Sequence, residues 1–124
     1  MTSPAPFARR ATSVPVTVVT DKAALGRFGG RDTALLHLDP PLHAHEPGTE
    51  CIACESRGNV RVLLFELQEK VRLGMAEPFL RVVVDATDVD DRAAVADAIV
   101  PGKLPAFGLR DFTVARNFHL AEVV

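Results

Sequence analysis

Four stretches of the chain have the apolar, β-branched pattern of strands. Residues 14–20 read Val-Pro-Val-Thr-Val-Val-Thr, and residues 79–85 read Phe-Leu-Arg-Val-Val-Val-Asp. Runs of this kind are typical of strands that are buried on both faces of a parallel sheet. Residues 33–38 and the apolar stretch at residues 119–124 are predicted to form two further strands.

A helical period lies between the strands predicted at residues 33–38 and 79–85. Apolar residues at positions 60, 63, 64, 67 and 71 recur at the spacing of one helix face, so an amphipathic helix is predicted there. Ser56 is its predicted N-cap, and Gly74 is predicted to end it.

Two shorter helices are predicted beside the apolar strands. The first covers residues 21–28, with Asp21 or Thr20 as its N-cap. The second covers residues 90–100, where Asp88 is the predicted cap and Pro101-Gly102 the stop. Residues 103–117 are ambiguous and receive no assignment.

Strands that alternate with helices predict the α/β class, with a mostly parallel sheet and helices on its faces. The 124 residues correspond to one domain. We assign it to residues 14–124, preceded by a flexible N-terminal tail at residues 1–13. Ligands of such sheets bind beyond the carboxyl ends of the strands, where the loop at Asp21, the residue Asp85 and the cysteines are expected.

Composition excludes several classes of partner from our expectations. A net charge of -2 provides no field that would attract nucleic acid or an anionic membrane. The sequence has no apolar run of the roughly twenty residues that a membrane span requires, so a cytoplasmic location is predicted. The two cysteines are so close together that a disulfide would restrain little of the unfolded chain, which favours reduced thiols.

The segment between the second strand and the long helix concentrates metal-binding side chains. Cys51 and Cys54 form a Cys-x-x-Cys pair, and His43 and His45 form a His-x-His pair just before it. Thiolates and imidazoles are the ligands of tetrahedral zinc sites, so these four residues are the predicted metal ligands. Two alternatives stay open, namely dithiol redox chemistry and a turn with two small buried residues.

These residues carry a resemblance to a known family. Residues 50–60, Glu-Cys-Ile-Ala-Cys-Glu-Ser-Arg-Gly-Asn-Val, resemble the Gly-Cys-x-Cys-Cys-Thr-x-Arg-Gly-Asp-Leu segment of the CobW family of P-loop GTPases, which handle zinc and other metals. Residues 82–91 are similar to the strand and switch stretch of that family, and residues 14–20 to its first strand. The resemblance implies a partial P-loop NTPase-like, three-layer fold and a metallochaperone ancestry.

The phosphate loop that the resemblance implies has decayed. A functional loop needs Gly-x-x-x-x-Gly-Lys followed by Ser or Thr, whose hydroxyl holds Mg²⁺. Here Asp21 replaces the first glycine, Arg27 the lysine and Phe28 the hydroxyl, so only Gly26 and Arg27 are carried over as candidate cofactor-binding residues. No guanine-reading motif follows, and the resemblance therefore implies a truncated domain with GTP and Mg²⁺ binding lost.

The favoured hypothesis is a divergent CobW-like protein that binds zinc through the Cys-x-x-Cys turn. The alternative is a structural or protein-interaction remnant, because a sheet that ends at residues 119–124 leaves an edge able to recruit a partner or a second copy. An active GTP-dependent metal chaperone would require Arg27 to replace the lysine and ranks lower. His37 and His119 are expected to be packed or solvated strand residues.

Overall fold

The computed structural model describes residues 13–40, 57–100, 102–106 and 108–124. The predicted α/β class is confirmed. Within the described ranges, no helix is long and apolar enough to cross a membrane. The strands and helices follow one another in the order β1 (Val14–Val19), α1 (Lys22–Leu25), β2 (Thr33–His37), α2 (Val60–Arg72), β3 (Arg81–Asp85), α3 (Arg92–Ile99), α4 (Gly108–Asn117) and β4 (Phe118–Val123).

The four strands form one sheet in the order β2-β3-β1-β4, and every pairing is parallel. Val16 of β1 lies opposite Val82 of β3 on one side and Leu120 of β4 on the other. The helix between β1 and β2 packs on one face, and the helices of the two later connections pack on the other. This small sheet with helices on its faces is compatible with a partial three-layer fold of the P-loop type.

The main core lies on the face that α2, α3 and α4 cover. Strand residues alternate between the faces, so every second residue of β1 and β3 points into this core. Phe79 stacks on Phe118 with ring centroids 6.4 Å apart, which closes the core at the amino end of the sheet. Its buried members are Val16, Val18, Leu38, Val60, Leu64, Val82, Val84, Ala86, Val95, Ile99, Val114 and Phe118.

The opposite face has a smaller apolar cluster. Val19 and Val83 are buried there against Ala24 of α1, and Leu25, Phe28 and Val124 pack around them. Leu35 of β2 points to the same face but is 66% exposed. Among the described residues, therefore, this face is covered at its carboxyl end and left open over β2.

The ends of the predicted helices are partly confirmed. The side chain of Asn59 accepts a hydrogen bond from the backbone of Arg61 and caps α2, while Ser56 lies outside the described residues. Gly74 adopts a φ of +77° after the last turn, which is the left-handed conformation that ends many helices. Asp21 caps α1 as predicted.

The predicted cap of α3 is wrong. Asp91, not Asp88, accepts the hydrogen bond from the backbone of Ala94. The Asp88 carboxylate instead pairs with His37 and Lys22, which lie far away in the sequence. Long-range charge contacts have therefore overridden the local capping preference.

Helix α4 occupies much of residues 103–117, which received no assignment from the sequence. Arg61 of α2 binds the chain that precedes this helix. The Arg61 side chain donates hydrogen bonds to the carbonyl oxygens of Ala98 (2.8 Å), Pro105 (2.6 Å) and Leu104 (3.1 Å). It also forms an ion pair of 3.2 Å with Asp111 of α4, whose side chain is only 4% exposed. Helix α4 thus depends on a charge supplied by α2.

Replacing Arg61 should destabilise the fold strongly. We expect Arg61→Ala to lower the free energy of unfolding by about 3 kcal/mol or more, because it leaves Asp111 buried with weaker pairing and frees three carbonyl oxygens. Urea denaturation measures the loss. The matched control is Arg72→Ala, which removes an exposed ion pair with Glu69 and should change stability much less. Equal losses in the two variants would contradict the assigned role of Arg61.

Candidate functional site at the carboxyl edge of the sheet

The strand order creates a crevice between β1 and β3. After β1 the chain crosses over β3 towards β2, and after β3 it crosses over β1 towards β4. The two connections diverge at the carboxyl edge, and this divergence is the usual position of ligands in open α/β sheets. Thr20 and Asp21 follow β1 at this edge, and Ala86 and Thr87 follow β3.

Arg92, at the start of α3, bridges this crevice. Its guanidinium donates to the carbonyl oxygen of Thr20 at 2.8 Å and to that of Thr87 at 2.9 Å. A third bond runs from its Nε to the carbonyl oxygen of Val89 at 3.2 Å. The two diverging loops are therefore joined by a cation of the chain itself. No sequence pattern indicates this role, since an arginine at a helix start is usually solvated.

His37 is the centre of an ion-pair network at the same edge. Its Nε2 lies 2.8 Å from a carboxylate oxygen of Asp88 and 3.8 Å from one of Asp85, and its Nδ1 lies 3.1 Å from Asp39. The hydrogen bond to Asp88 raises the pKa of His37, and the charges of Asp85 and Asp39 act in the same direction. The sequence placed His37 on the second strand, and this is confirmed, but its three acidic partners were not foreseen.

The acidic side chains of this edge are already engaged. Thr87 donates to Asp85 through both its hydroxyl, at 2.6 Å, and its backbone N–H, at 3.0 Å. The ammonium group of Lys22 lies 3.6 Å from Asp88, and the pKa of Asp88 is lowered by its hydrogen bond with His37 and by the charge of Lys22. Within the described ranges, no group of three or more His, Cys, Asp or Glu side chains is arranged to hold a metal ion.

Residues 21–28, which the resemblance aligns with a phosphate loop, use several of their backbone N–H groups internally. The Asp21 carboxylate accepts from the N–H of Ala23 at 3.0 Å, and the N–H of Ala24 donates to the Asp21 carbonyl oxygen at 2.9 Å. The N–H groups of Arg27 and Phe28 donate to carbonyl oxygens of α1 at 3.1 and 3.2 Å. A phosphate would have to compete with these acceptors and with the negative charge of Asp21.

Gly26 and Arg27, the two residues carried over as candidate cofactor ligands, lie at the end of α1. Gly26 is the C-cap of that helix and has right-handed helical backbone angles. The Arg27 guanidinium lies 5.9 Å from the centre of the Phe28 ring, a cation–π distance. Whether they bind a cofactor stays a prediction.

The predicted metal ligands His43, His45, Cys51 and Cys54 lie outside the described residues, but both ends of their segment are described. The N–H of Asp39 donates to the carbonyl oxygen of Arg57 at 3.1 Å. The side chains of the same two residues form an ion pair of 4.0 Å. A Cβ atom at position 58 would lie 3.0 Å from the Asp39 carbonyl oxygen, so Gly58 permits this close approach.

The His37 network should make stability depend on pH. The pKa of His37 is raised above its ordinary value of about 6.5, so protonated His37 stabilises the fold fully below that pH. The stabilisation should be lost as pH rises through the raised pKa. We expect His37→Asn to be less stable than the parent protein at pH 5.5 and to approach it at high pH, as measured by urea denaturation.

An Asp88→Asn background provides the control for this experiment. Because Asp88 supplies the largest contribution to the raised pKa of His37, the pH-dependent difference should shrink when Asp88 is neutral. If the difference in the free energy of unfolding between His37→Asn and the parent is constant from pH 5.5 to 9, the charge of His37 does not stabilise the fold.

Comparison with known proteins gives no match: no protein family, no curated protein and no solved structure matches this chain.

Proposed function

We propose that the chain is a divergent, truncated CobW-like protein that binds zinc and does not use GTP. In this proposal Cys51 and Cys54 are the principal ligands, and His43 and His45 complete the shell. The observation that carries the proposal is the contact between Asp39 and Arg57, which brings together the two ends of the ligand-bearing segment at the carboxyl edge.

The contact between Asp39 and Arg57 favours metal binding for an entropic reason. A metal that gathers ligands from a segment with free ends must also pay the entropy of closing that segment. Here the backbone bond between Asp39 and Arg57, and the close approach of Gly58, already hold the ends together. The entropy cost of closing the segment is therefore already met by the fold, which supports tight zinc binding by two thiolates and two imidazoles.

The geometry of the degenerate loop supports the loss of nucleotide binding. Four backbone N–H groups of this loop, those of Ala23, Ala24, Arg27 and Phe28, have acceptors within the protein. Arg92 bridges the crevice that a phosphate chain would enter. Phe28 packs in the smaller apolar cluster and has no oxygen for Mg²⁺. The proposed activity is metal binding without nucleotide chemistry, and the cytoplasmic location and the lack of nucleic-acid and membrane partners remain expectations from the composition.

A protein-interaction role is the second candidate, because the sheet has two edges. β2 and β4 each have one strand neighbour among the described residues. Val123 of β4 is half exposed, and Leu35 of β2 is more exposed still. In this alternative the chain assembles with a partner through an edge, and metal is not required.

Removal of the two thiols should abolish zinc binding. We expect the purified protein to contain about one zinc ion per chain and a Cys51→Ser, Cys54→Ser variant to contain almost none. Elemental analysis and a competitive zinc titration measure both quantities. Affinity should also fall as pH is lowered, because the thiols must lose protons to bind. His119→Ala is the matched control, since His119 lies on β4 outside the segment. An unchanged zinc content in the double cysteine variant would falsify the proposal.

Guanine nucleotides should bind weakly or not at all. Asp21 places a negative charge where a triphosphate would lie, and no hydroxyl follows Arg27 to hold Mg²⁺. A fluorescent GTP analogue titrated in the presence of Mg²⁺ tests this, with GTP hydrolysis measured in parallel. Saturable binding with a dissociation constant on the order of micromolar, accompanied by hydrolysis, would restore the GTPase hypothesis.

A further inference from the structure

The two edges of the sheet differ in how well they resist pairing with another strand. The pairing of β4 with β1 is irregular, because its register shifts between Leu120 and Glu122, and Glu122 adds a charge. By contrast, all five residues of β2 pair with β3 in continuous register, and β2 contains no proline, lysine or acidic residue. Bulges and charges are the devices that protect edges, so β2 is the less protected edge within the part of the chain that the structure describes.

The backbone of β2 presents its free groups at every second residue. The N–H of Leu38 donates to the Asp85 carbonyl oxygen, and the carbonyl oxygen of Asp32 accepts from Leu80 and Arg81. Even-numbered residues therefore direct their polar groups towards β3. Because these directions alternate along a strand, Leu35 and His37 direct theirs outwards. The carbonyl oxygen of Thr33 also points outwards, whereas its N–H donates to the Gly30 carbonyl oxygen at 3.4 Å.

We propose that β2 pairs with β2 of a second copy of this chain, antiparallel and around a twofold axis at Leu35. In this register Leu35 lies opposite Leu35 of the second copy as a hydrogen-bonded pair, and Thr33 lies opposite His37. The pairing joins two four-stranded sheets into one and stacks two leucine side chains that are each 66% exposed in the single chain.

The same register matches the shapes on the other face of the sheet. It places Ala34 of one copy opposite Leu36 of the other. The small side chain of Ala34 lines an open cavity of about 500 Å³, together with Leu67 and Phe79. The larger side chain of Leu36 from the second copy would lie over the rim of this cavity. The twofold axis repeats this pairing of Ala34 with Leu36, so it occurs twice in the dimer.

The charged residues near the two ends of β2 favour antiparallel pairing with a second copy over parallel pairing. At the start of β2, Arg81 of β3 reaches across to the edge strand and donates to the Thr33 hydroxyl at 2.8 Å. At the end of β2 lie three carboxylates, those of Asp39, Asp85 and Asp88, together with the cations that pair with them, His37, Lys22 and Arg57. Asp32 is the acidic residue directly before the start of β2. The twofold axis brings Arg81 of each copy towards the three carboxylates of the other, whereas parallel pairing would place the carboxylate groups of the two copies side by side.

The first test compares the two edges by light scattering after size exclusion at several concentrations. We expect a dimer that dissociates at roughly micromolar concentration, since a five-residue edge buries little area. Leu35→Glu should raise the dissociation constant at least tenfold, while Val123→Glu on β4 should leave it unchanged. Urea denaturation verifies that both variants fold. A monomer at all concentrations, or a dimer weakened only by Val123→Glu, would overturn the proposal.

A cross-linking test examines the register itself. In a Cys51→Ser, Cys54→Ser background, Leu35→Cys should be joined to its equivalent by a short bismaleimide, because directly opposed residues have Cβ atoms about 5 Å apart. Thr33→Cys is the matched control, since two such residues would lie about 14 Å apart, at roughly 3.4 Å per residue. Equal cross-linking of the two variants, or none of Leu35→Cys, contradicts the twofold axis at Leu35. Dimers that form equally with and without a chelator keep this result separate from the zinc proposal.

Discussion

The parallel direction of all four strands is the constraint on which the rest of this structure depends. Each strand must end at the same edge of the sheet, and each connection must return to the opposite edge before the next strand begins. His37, Asp85 and Thr20 are distant in the sequence, yet they lie at the same edge because each one ends or follows a strand. Asp39 and Arg57, the ends of the segment that holds the predicted metal ligands, are brought to this edge for the same reason.

Much of that edge is satisfied by the chain itself. Arg92 supplies the positive charge between β1 and β3, and Asp21 accepts the N–H group at the start of α1. His37 and Lys22 balance the charge of Asp88. These internal contacts take up groups that a nucleotide site would present to phosphate and Mg²⁺.

Local pattern predicted the parts of the fold that local interactions determine. The valine-rich runs of β1 and β3 and the helical period of α2 were recognised because burial alone determines their spacing. Helix α4 was missed, since it is held by Arg61 from α2 and by the buried Asp111. The capping role given to Asp88 failed because its partner His37 lies on another strand. The predicted ligands His43, His45, Cys51 and Cys54 lie outside the described residues, so only the closure of their segment bears on them.

The unequal coverage of the two sheet faces connects assembly with the site. Three helices cover one face except at the open cavity beside Ala34, whereas the other face is covered near the carboxyl edge by α1 and Phe28. Among the described residues nothing covers Leu35, which lies in the middle of β2 and away from the contact between Asp39 and Arg57. A twofold axis at Leu35 would point the two carboxyl edges in opposite directions, because antiparallel strands end at opposite ends. Each proposed metal segment would then remain with its own copy, so metal binding and assembly can be lost independently.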